Sequence, residues 1–388
     1  MYNKNILFVN YSLGHGGTEK MFLNVVSEIQ LINRKKIVFF YNNNFRKYRL
    51  RQGYSNSDVD FSNLYENMPF KVYSLDNDNG IFNTIYRLKM LLYIIKKENI
   101  GLILSFSSHG ALLAILSKIF FPLNRIKVIV RMGSPFNNLF QDSRASKTKN
   151  KIGKFISKYF IYKFVDKIIC TTNYMKKELL LVNHRFNRKI SIIRNFSNEG
   201  IIKKLANEKI EFYDNFILYA GRLEEEKNVK GIITAFNQIN KDFDIKLLLI
   251  GDGSFYNSIK EHITELSLND SVIMLGYEKN PYKFISRAKF LVLFSNYEGS
   301  PNVILESKIC GTPVISSDFN GVDDFIKDME TGLIVSKNNE NQLAGKMRLL
   351  LGNSSLRKSI MTNSSDTLEN SVISIREYES LIKKQMRW

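Results

Sequence analysis

EGSPNVILESKICGTPVISSD, residues 298–318, carries two glutamates and a backbone bend at each end. Ser300 suits a helix N-cap and Pro301 the first helical position, where its missing N–H would be unpaired in any case. The apolar residues Val303, Ile304, Leu305 and Ile309 predict a helix that stops at Gly311, a residue that tolerates positive φ. Thr312 and Pro313 then lead into a short strand of buried type. Glu298 therefore belongs to the loop before the helix, and Glu306 lies inside it, about 7 Å along the axis from Pro301. The N–H groups of Asn302 and Val303 sit between the acids, at the positive end of the helix dipole, where an anion is stabilised. This spacing fits a ligand with an anionic middle and hydroxyl groups at both ends.

Outward from that stretch, strand runs and helical patterns alternate. Apolar runs at residues 5–10, 36–42, 101–107, 126–131, 167–172 and 190–195 read as buried parallel strands, and helical patterns fall at 18–32, 82–98, 109–120, 151–164 and 173–182. The charged segment 198–215 interrupts the pattern, which restarts with runs at 216–221, 245–251, 271–276, 289–295, 313–317 and 332–336. The alternation predicts an α/β chain of two Rossmann-like, doubly wound domains. Their expected bounds are 1–198 and 199–365, with a polar C-terminal helix in 366–388 packing back on the first domain. Ligands in such sheets bind at the C-terminal ends of the strands, so the residues just after each strand matter most.

The 388 residues carry a net charge of +19, and its distribution is uneven. Residues 1–198 hold 32 Lys and Arg against 11 Asp and Glu, whereas residues 199–388 hold 24 against 26. The first half is therefore expected to face something anionic, such as a phospholipid surface or a polyanionic acceptor. Its longest apolar run, 111–123, contains Lys118 and is too short to span a bilayer, which predicts a cytoplasmic protein or one peripheral at the inner face of the cell membrane. In the stretch 151–164, Lys151, Lys154 and Lys158 fall on one helical side and Phe155, Ile156 and Tyr159 on another, a pattern suited to such a surface. Two cysteines, Cys170 and Cys310, both in apolar contexts, speak against a disulfide scaffold or a zinc site and are expected in the core.

Four further stretches offer chemistry. Gly14, Gly16 and Gly17 precede a helix at Thr18 and would allow close backbone approach to a phosphate or sugar, although their spacing is not the dinucleotide fingerprint. His109 stands at the top of a strand and the start of a helix. Arg222 and Lys227, in GRLEEEKN, could neutralise a diphosphate without a metal, or could instead pair with Glu224–Glu226 as a solvated face. Arg131 and Ser134 follow another strand, and Arg194 and Asn195 end the first half. The D-x-D pairs Asp58/Asp60, Asp76/Asp78 and Asp242/Asp244 could hold a divalent cation, but their contexts are those of turns and caps.

Together, GHGGTE at the start, GRLEEEKN, GDGS at 251–254, the opening stretch with its E-x7-E spacing and the following TGLIV resemble the retaining glycosyltransferases of family 4. The resemblance covers most of the chain and implies the GT-B architecture, two Rossmann-like domains facing each other across a cleft. It implies a nucleotide-sugar donor, expected to be a UDP-sugar, bound by the second domain, and a lipid-linked or cell-surface glycan acceptor bound by the first. Arg222 and Lys227 would hold the diphosphate, Glu306 the ribose and Glu298 the sugar, with Gly299, Ser300, Pro301, Asn302 and Val303 forming the phosphate turn. His109 would lie near the transferred sugar, and Gly16 and Gly17 would close over the donor. Gly14, Arg131 and Ser134 would lie on the acceptor side. No metal or other cofactor would be required, and no nucleic acid is expected as a partner. A metal-dependent D-x-D transferase and a non-catalytic sugar-nucleotide binder are the alternatives.

Overall fold

The computed structural model describes residues 4–10, 17–29, 36–40, 71–73, 75, 82–120, 126–136, 162–210, 215–364 and 367–386. These divide into two compact units, one formed by the chain up to Asn195 together with the residues from Val372 onward, the other by residues 196–371.

The first unit is a parallel sheet of order β3-β2-β1-β4-β5-β6-β7. Its strands are β1 (Asn5–Asn10), β2 (Lys36–Phe40), β3 (Lys71–Tyr73), β4 (Ile100–Ser105), β5 (Lys127–Arg131), β6 (Lys167–Cys170) and β7 (Ile190–Ile192). The helices that concern the site are α1 (Gly17–Glu28), α2 (Phe82–Lys97), α3 (Ser108–Phe120) and α4 (Asn173–Val182). The sequence pattern places these strands to within a few residues and misses β3, a three-residue edge strand too short to show a period.

The second unit is a parallel sheet of order β10-β9-β8-β11-β12-β13, made of β8 (Phe216–Ala220), β9 (Lys246–Ile250), β10 (Val272–Gly276), β11 (Leu291–Leu293), β12 (Val314–Ser317) and β13 (Leu333–Val335). Its helices are α5 (Glu199–Ala206), α6 (Val229–Asn237), α7 (Tyr256–Glu265), α8 (Asn302–Ile309), α9 (Glu340–Gly352) and α10 (Ser354–Asn363). Alternation along β8 shows why helices cover both faces. Ile217 and Tyr219 join a core with Ile232 and Phe236 of α6, while Phe216 and Leu218 join another with Ile304 and Ile309 of α8. Side chains that point oppositely by turns need two apolar covers, and each large one fully buried contributes about 1.5–3 kcal/mol. The chain leaves this unit within α11 (Thr367–Met386), whose Tyr378 is buried among first-unit residues.

The opening stretch folds as expected with one shift. α8 begins at Asn302, and Pro301 is the cap with an extended ψ of 105° and no side-chain capping bond, so Ser300 is not the N-cap. Proline fixes φ and donates nothing, which suits it to the cap itself as well as to the first helical position. The helix ends in a full Schellman arrangement: Gly311 N–H donates to Lys308 O at 3.0 Å and Thr312 N–H to Ser307 O at 2.9 Å, with Gly311 at φ +71°. Gly311→Ala should cost about 1 kcal/mol of stability through that positive φ, read as a lower urea midpoint with an unchanged m-value.

Candidate active site

In the second unit the strand order reverses between β8 and β11, so the loops after these two strands emerge side by side at the C-terminal edge. The loop after β8 carries Arg222 and Lys227, and the loop after β11 carries Ser295 and Glu298. Lys227 Nζ donates to Glu298 Oε1 at 2.7 Å, with the two side chains only 13% and 9% exposed. The same oxygen accepts from Ser295 Oγ at 2.7 Å, and Ser317 at the end of β12 donates to Ser295 O at 2.6 Å. Asn296 N–H donates to Glu226 O at 2.8 Å, which ties the two loops together through the backbone as well.

Arg222 behaves differently from Lys227. Its guanidinium is 52% exposed and pairs with Glu226 at 2.9 Å. The bland expectation, in which both cations pair with the Glu224–Glu226 run, therefore describes Arg222 but not Lys227. Beneath Arg222, Tyr219 donates its hydroxyl to Arg222 O at 2.6 Å, and burial pushes this phenol well above its ordinary value. Burial first, and then the nearby charge of Glu226, also raise the Tyr297 hydroxyl beside Glu298.

The GDGS loop after β9 closes the third side. Gly221 N–H donates to Ile250 O at 2.9 Å, Leu223 N–H to Asp252 O at 3.0 Å, and Ser254 Oγ to Glu224 Oε2 at 2.5 Å. A Cβ on Gly251 would lie 1.8 Å from Gly221 O, so only glycine allows the two loops to meet. Along the opening stretch Gly299, Ser300 and Val303 are half-buried, Pro301 and Asn302 are buried, and Glu306 is buried one turn beyond Asn302. The sheet thus gathers Arg222, Lys227, Glu298 and the start of α8 at one edge of the second unit.

In the first unit His109 occupies the second position of α3, after β4, and the residue is partly open to solvent. Partial desolvation, and then the charge of Arg87 on α2, hold the imidazole below its ordinary value of 6.5. Arg131, at the end of β5, is buried instead of presented to a ligand. It donates to Asn195 Oδ1, lies 5.6 Å from the Phe106 ring, and has the Tyr378 hydroxyl of α11 beside it. Ser134 is half-buried in the following loop, which is held by Glu178 of α4, whose Oε2 accepts from Phe136 N–H at 2.7 Å.

Gly17 is exposed at the start of α1. Gly14, Gly16, Asp58/Asp60, Asp76/Asp78 and the stretch 151–161 lie outside the described residues. Asp242 pairs with Arg348 at 3.2 Å and, with Asp244, precedes β9, at the sheet edge opposite Lys227 and Glu298. Cys170 is buried with its thiol pushed up to about 12, whereas Cys310 is only half-buried at the C-cap of α8, so the second cysteine departs from the expected core position.

Residues 202–367 match the family model described as glycosyl transferases group 1. The chain is 30% identical over 255 residues to an N-acetylgalactosaminyltransferase of Campylobacter jejuni named for a diphospho-undecaprenol-linked acceptor, covering 61% of this chain and 67% of that protein. The chain belongs to the glycosyl transferases group 1 family. It is also 30% identical to the capsular polysaccharide biosynthesis glycosyltransferase CapM of Staphylococcus aureus, over 58% of this chain and 64% of that one, slightly less than two thirds of its length. Among solved structures, the HepE protein of Anabaena in complex with UDP and glucose shares the fold with a TM-score of 0.79 at 15% identity, over 98% of this chain and 100% of that one. The expected class, two parallel-sheet α/β domains of the GT-B glycosyltransferase kind, holds.

Several residues of this glycosyltransferase escaped the sequence reading. Glu224 is the first of three consecutive glutamates, and nothing in that run marks it as the one turned inward to Ser254. In the sequence Ser295 and Ser317 read only as strand ends. Their signal was available, since a serine at the end of a buried parallel strand needs a hydrogen-bond partner close by.

Lys227→Ala should leave Glu298 with a charge half-removed from water and cost about 1–3 kcal/mol of stability in denaturant, whereas Lys227→Met combined with Glu298→Gln should recover most of that loss. For His109, NMR titration should give a midpoint below 6.5, and Arg87→Ala should raise it, because removing a cation eases protonation of the ring.

Proposed function

We infer that this protein is a retaining, metal-independent glycosyltransferase of the family 4 type. It moves a hexose or N-acetylhexosamine from a UDP-sugar to a lipid-linked or cell-surface glycan precursor at the inner face of the membrane. The observation that carries this reading is the Lys227–Glu298–Ser295 cluster at the β8–β11 switch point, next to the start of α8. The relatives named for a diphospho-undecaprenol-linked acceptor and for capsule synthesis support the acceptor class, and the fold shared with a UDP-bound protein supports the donor.

In this scheme Lys227, Arg222 and the N–H groups of Asn302 and Val303 hold the diphosphate, Glu306 takes the ribose hydroxyls and Glu298 those of the sugar. As the bond from anomeric carbon to phosphate oxygen breaks, negative charge grows on the diphosphate. The cations and helix dipole, fixed beforehand by the loop hydrogen bonds, stabilise that charge more in the transition state than in the ground state. The acceptor oxygen attacks from the same face and forms the new glycosidic bond. Its proton passes to the departing phosphate oxygen, so the configuration is retained and no base is consumed. His109, whose imidazole partial desolvation and the charge of Arg87 hold below its ordinary value, would position the sugar by hydrogen bonding. Ser134, Gly14 and the buried Arg131 would belong to the acceptor side.

Thermal denaturation with a panel of UDP- and GDP-sugars tests the donor. A UDP-sugar at about a hundred times its Kd should add roughly 2.7 kcal/mol, and GDP-sugars none. Equal stabilisation by a GDP-sugar, or a rate abolished by EDTA, would overturn the donor or the metal assignment. Glu298→Gln should lower turnover by about 100-fold or more while leaving UDP binding nearly unchanged, since the carboxylate faces the sugar and not the diphosphate. NMR of the product's anomeric carbon reads retention against inversion.

A further inference from the structure

We propose that Arg131 is a positioning residue for the transfer: its guanidinium, clamped by Asn195 and by Tyr378 of α11, fixes the Phe106 ring at the base of the segment that carries His109. The proposal rests on the reading of His109 as the group that meets the sugar. Every residue in it belongs to the first unit. Arg131 is 3% exposed, and Phe106 and Tyr378 are buried as deeply. The guanidinium donates to Asn195 Oδ1, has the Tyr378 hydroxyl against it, and lies 5.6 Å from the centre of the Phe106 ring. The same ring meets Phe22 of α1 edge to face with centres 5.1 Å apart, and the Phe106 N–H donates to Val9 O of β1 at 3.0 Å. Ring and backbone are thus both held. From Phe106 the chain runs directly into the start of α3, where Ser107 Oγ accepts from Gly110 N–H at 3.1 Å and Ser107 O accepts from Ser105 Oγ at 2.9 Å. His109 lies inside that hydrogen-bonded turn, so a displacement of the Phe106 ring reaches the imidazole through one turn of chain.

The energetics of the guanidinium speak against a purely structural role. Its Nε and Nη1 are buried without a hydrogen-bond partner, and no carboxylate of the described residues pairs with it. Burial accordingly draws its pKa below the ordinary arginine range. A buried cation left in this state costs stability, and an apolar side chain of similar volume commonly serves packing as well or better. What an apolar residue lacks is a planar fork that bonds at its edge while its charge attracts an aromatic ring. Arg131 uses both properties. Its polar neighbours are Asn195, where the first unit's long segment ends, and Tyr378, where α11 has returned. Tyr378 shares the buried face of α11 with Ser374, Leu381 and Ile382, so the phenol is where that face meets the guanidinium. The C-terminal helix thereby reaches the candidate sugar contact through two side chains, Arg131 and Phe106.

Arg131→Met combined with Tyr378→Phe removes both polar groups and roughly keeps the volume, so the urea midpoint of the full chain should stay at or above that of wild type. The His109 ring signals, followed by NMR in histidine-labelled protein and assigned by their loss in His109→Gln, should move or broaden in this variant and in Tyr378→Phe alone. Val128→Ala, a buried change near the other end of β5, should leave them in place. With UDP-glucose and UDP-N-acetylglucosamine as donor probes, kcat for UDP release should fall about tenfold or more at little changed KM, since the misplaced group acts on a sugar already bound. The two changes together should lower kcat no further than Arg131→Met alone, because Tyr378 acts through Arg131. His109 signals that stay put in the double variant, a control that moves them as far, or wild-type turnover in the double variant would overturn the proposal. So would a fall in midpoint large enough to account for the lost activity, which would make the cluster structural. Wild type that releases no UDP from either donor, while its His109 signals still respond to the Arg131 change, would count against the donor assignment and not against the coupling.

Discussion

A parallel sheet brings every strand's C-terminal end to one edge, and the order β10-β9-β8-β11-β12-β13 puts the ends of β8 and β11 side by side. That constraint governs the candidate site. It forces the loops after these strands to share a small volume, and the carboxylate of Glu298 lies in that volume with 9% of its side chain exposed. A carboxylate removed from water in this way is costly unless cations and donors surround it. Lys227 and Ser295 supply them, and the requirement locks both loops. The glycine at 251 lets a third loop close against the first, and Glu224 seals that contact through Ser254. Lys227, Ser295 and Glu298 satisfy one another, as do Glu224 and Ser254, and donors held in place in this way are what a developing negative charge needs.

The fold was legible because buried parallel strands read as continuous apolar runs and their helices as 3.6-residue periods. The glycine at 311 marks the end of its helix in the sequence alone. The weaker points have physical causes as well. Lys227 and Glu298 lie 71 residues apart, and no local pattern pairs them; sheet order does. Proximity in sequence favoured the Glu224–Glu226 run as the partner for both cations, and the turn at Glu225–Lys227 instead aims Lys227 across to the next loop. Arg131 looked available because it follows a strand, yet Asn195, Phe106 and Tyr378 enclose it, two of them from distant parts of the chain. The return of α11 to the first unit supplies the last of these neighbours, Tyr378.

The uneven charge has its own physical logic. Residues 199–388 are near neutral, and several of their charges are engaged internally, Arg222 with Glu226 and Lys227 with Glu298. A diphosphate meeting this unit would feel a few local cations and little long-range field. The excess of positive charge in residues 1–198 acts over a Debye length of about 8 Å at physiological salt and attracts any anionic sheet without orienting the protein on it. Orientation requires groups that enter the boundary at defined points. On α2, Tyr86 and Tyr93 stand exposed beside Lys89, Lys96 and Lys97, and the same helix reaches His109 through Arg87.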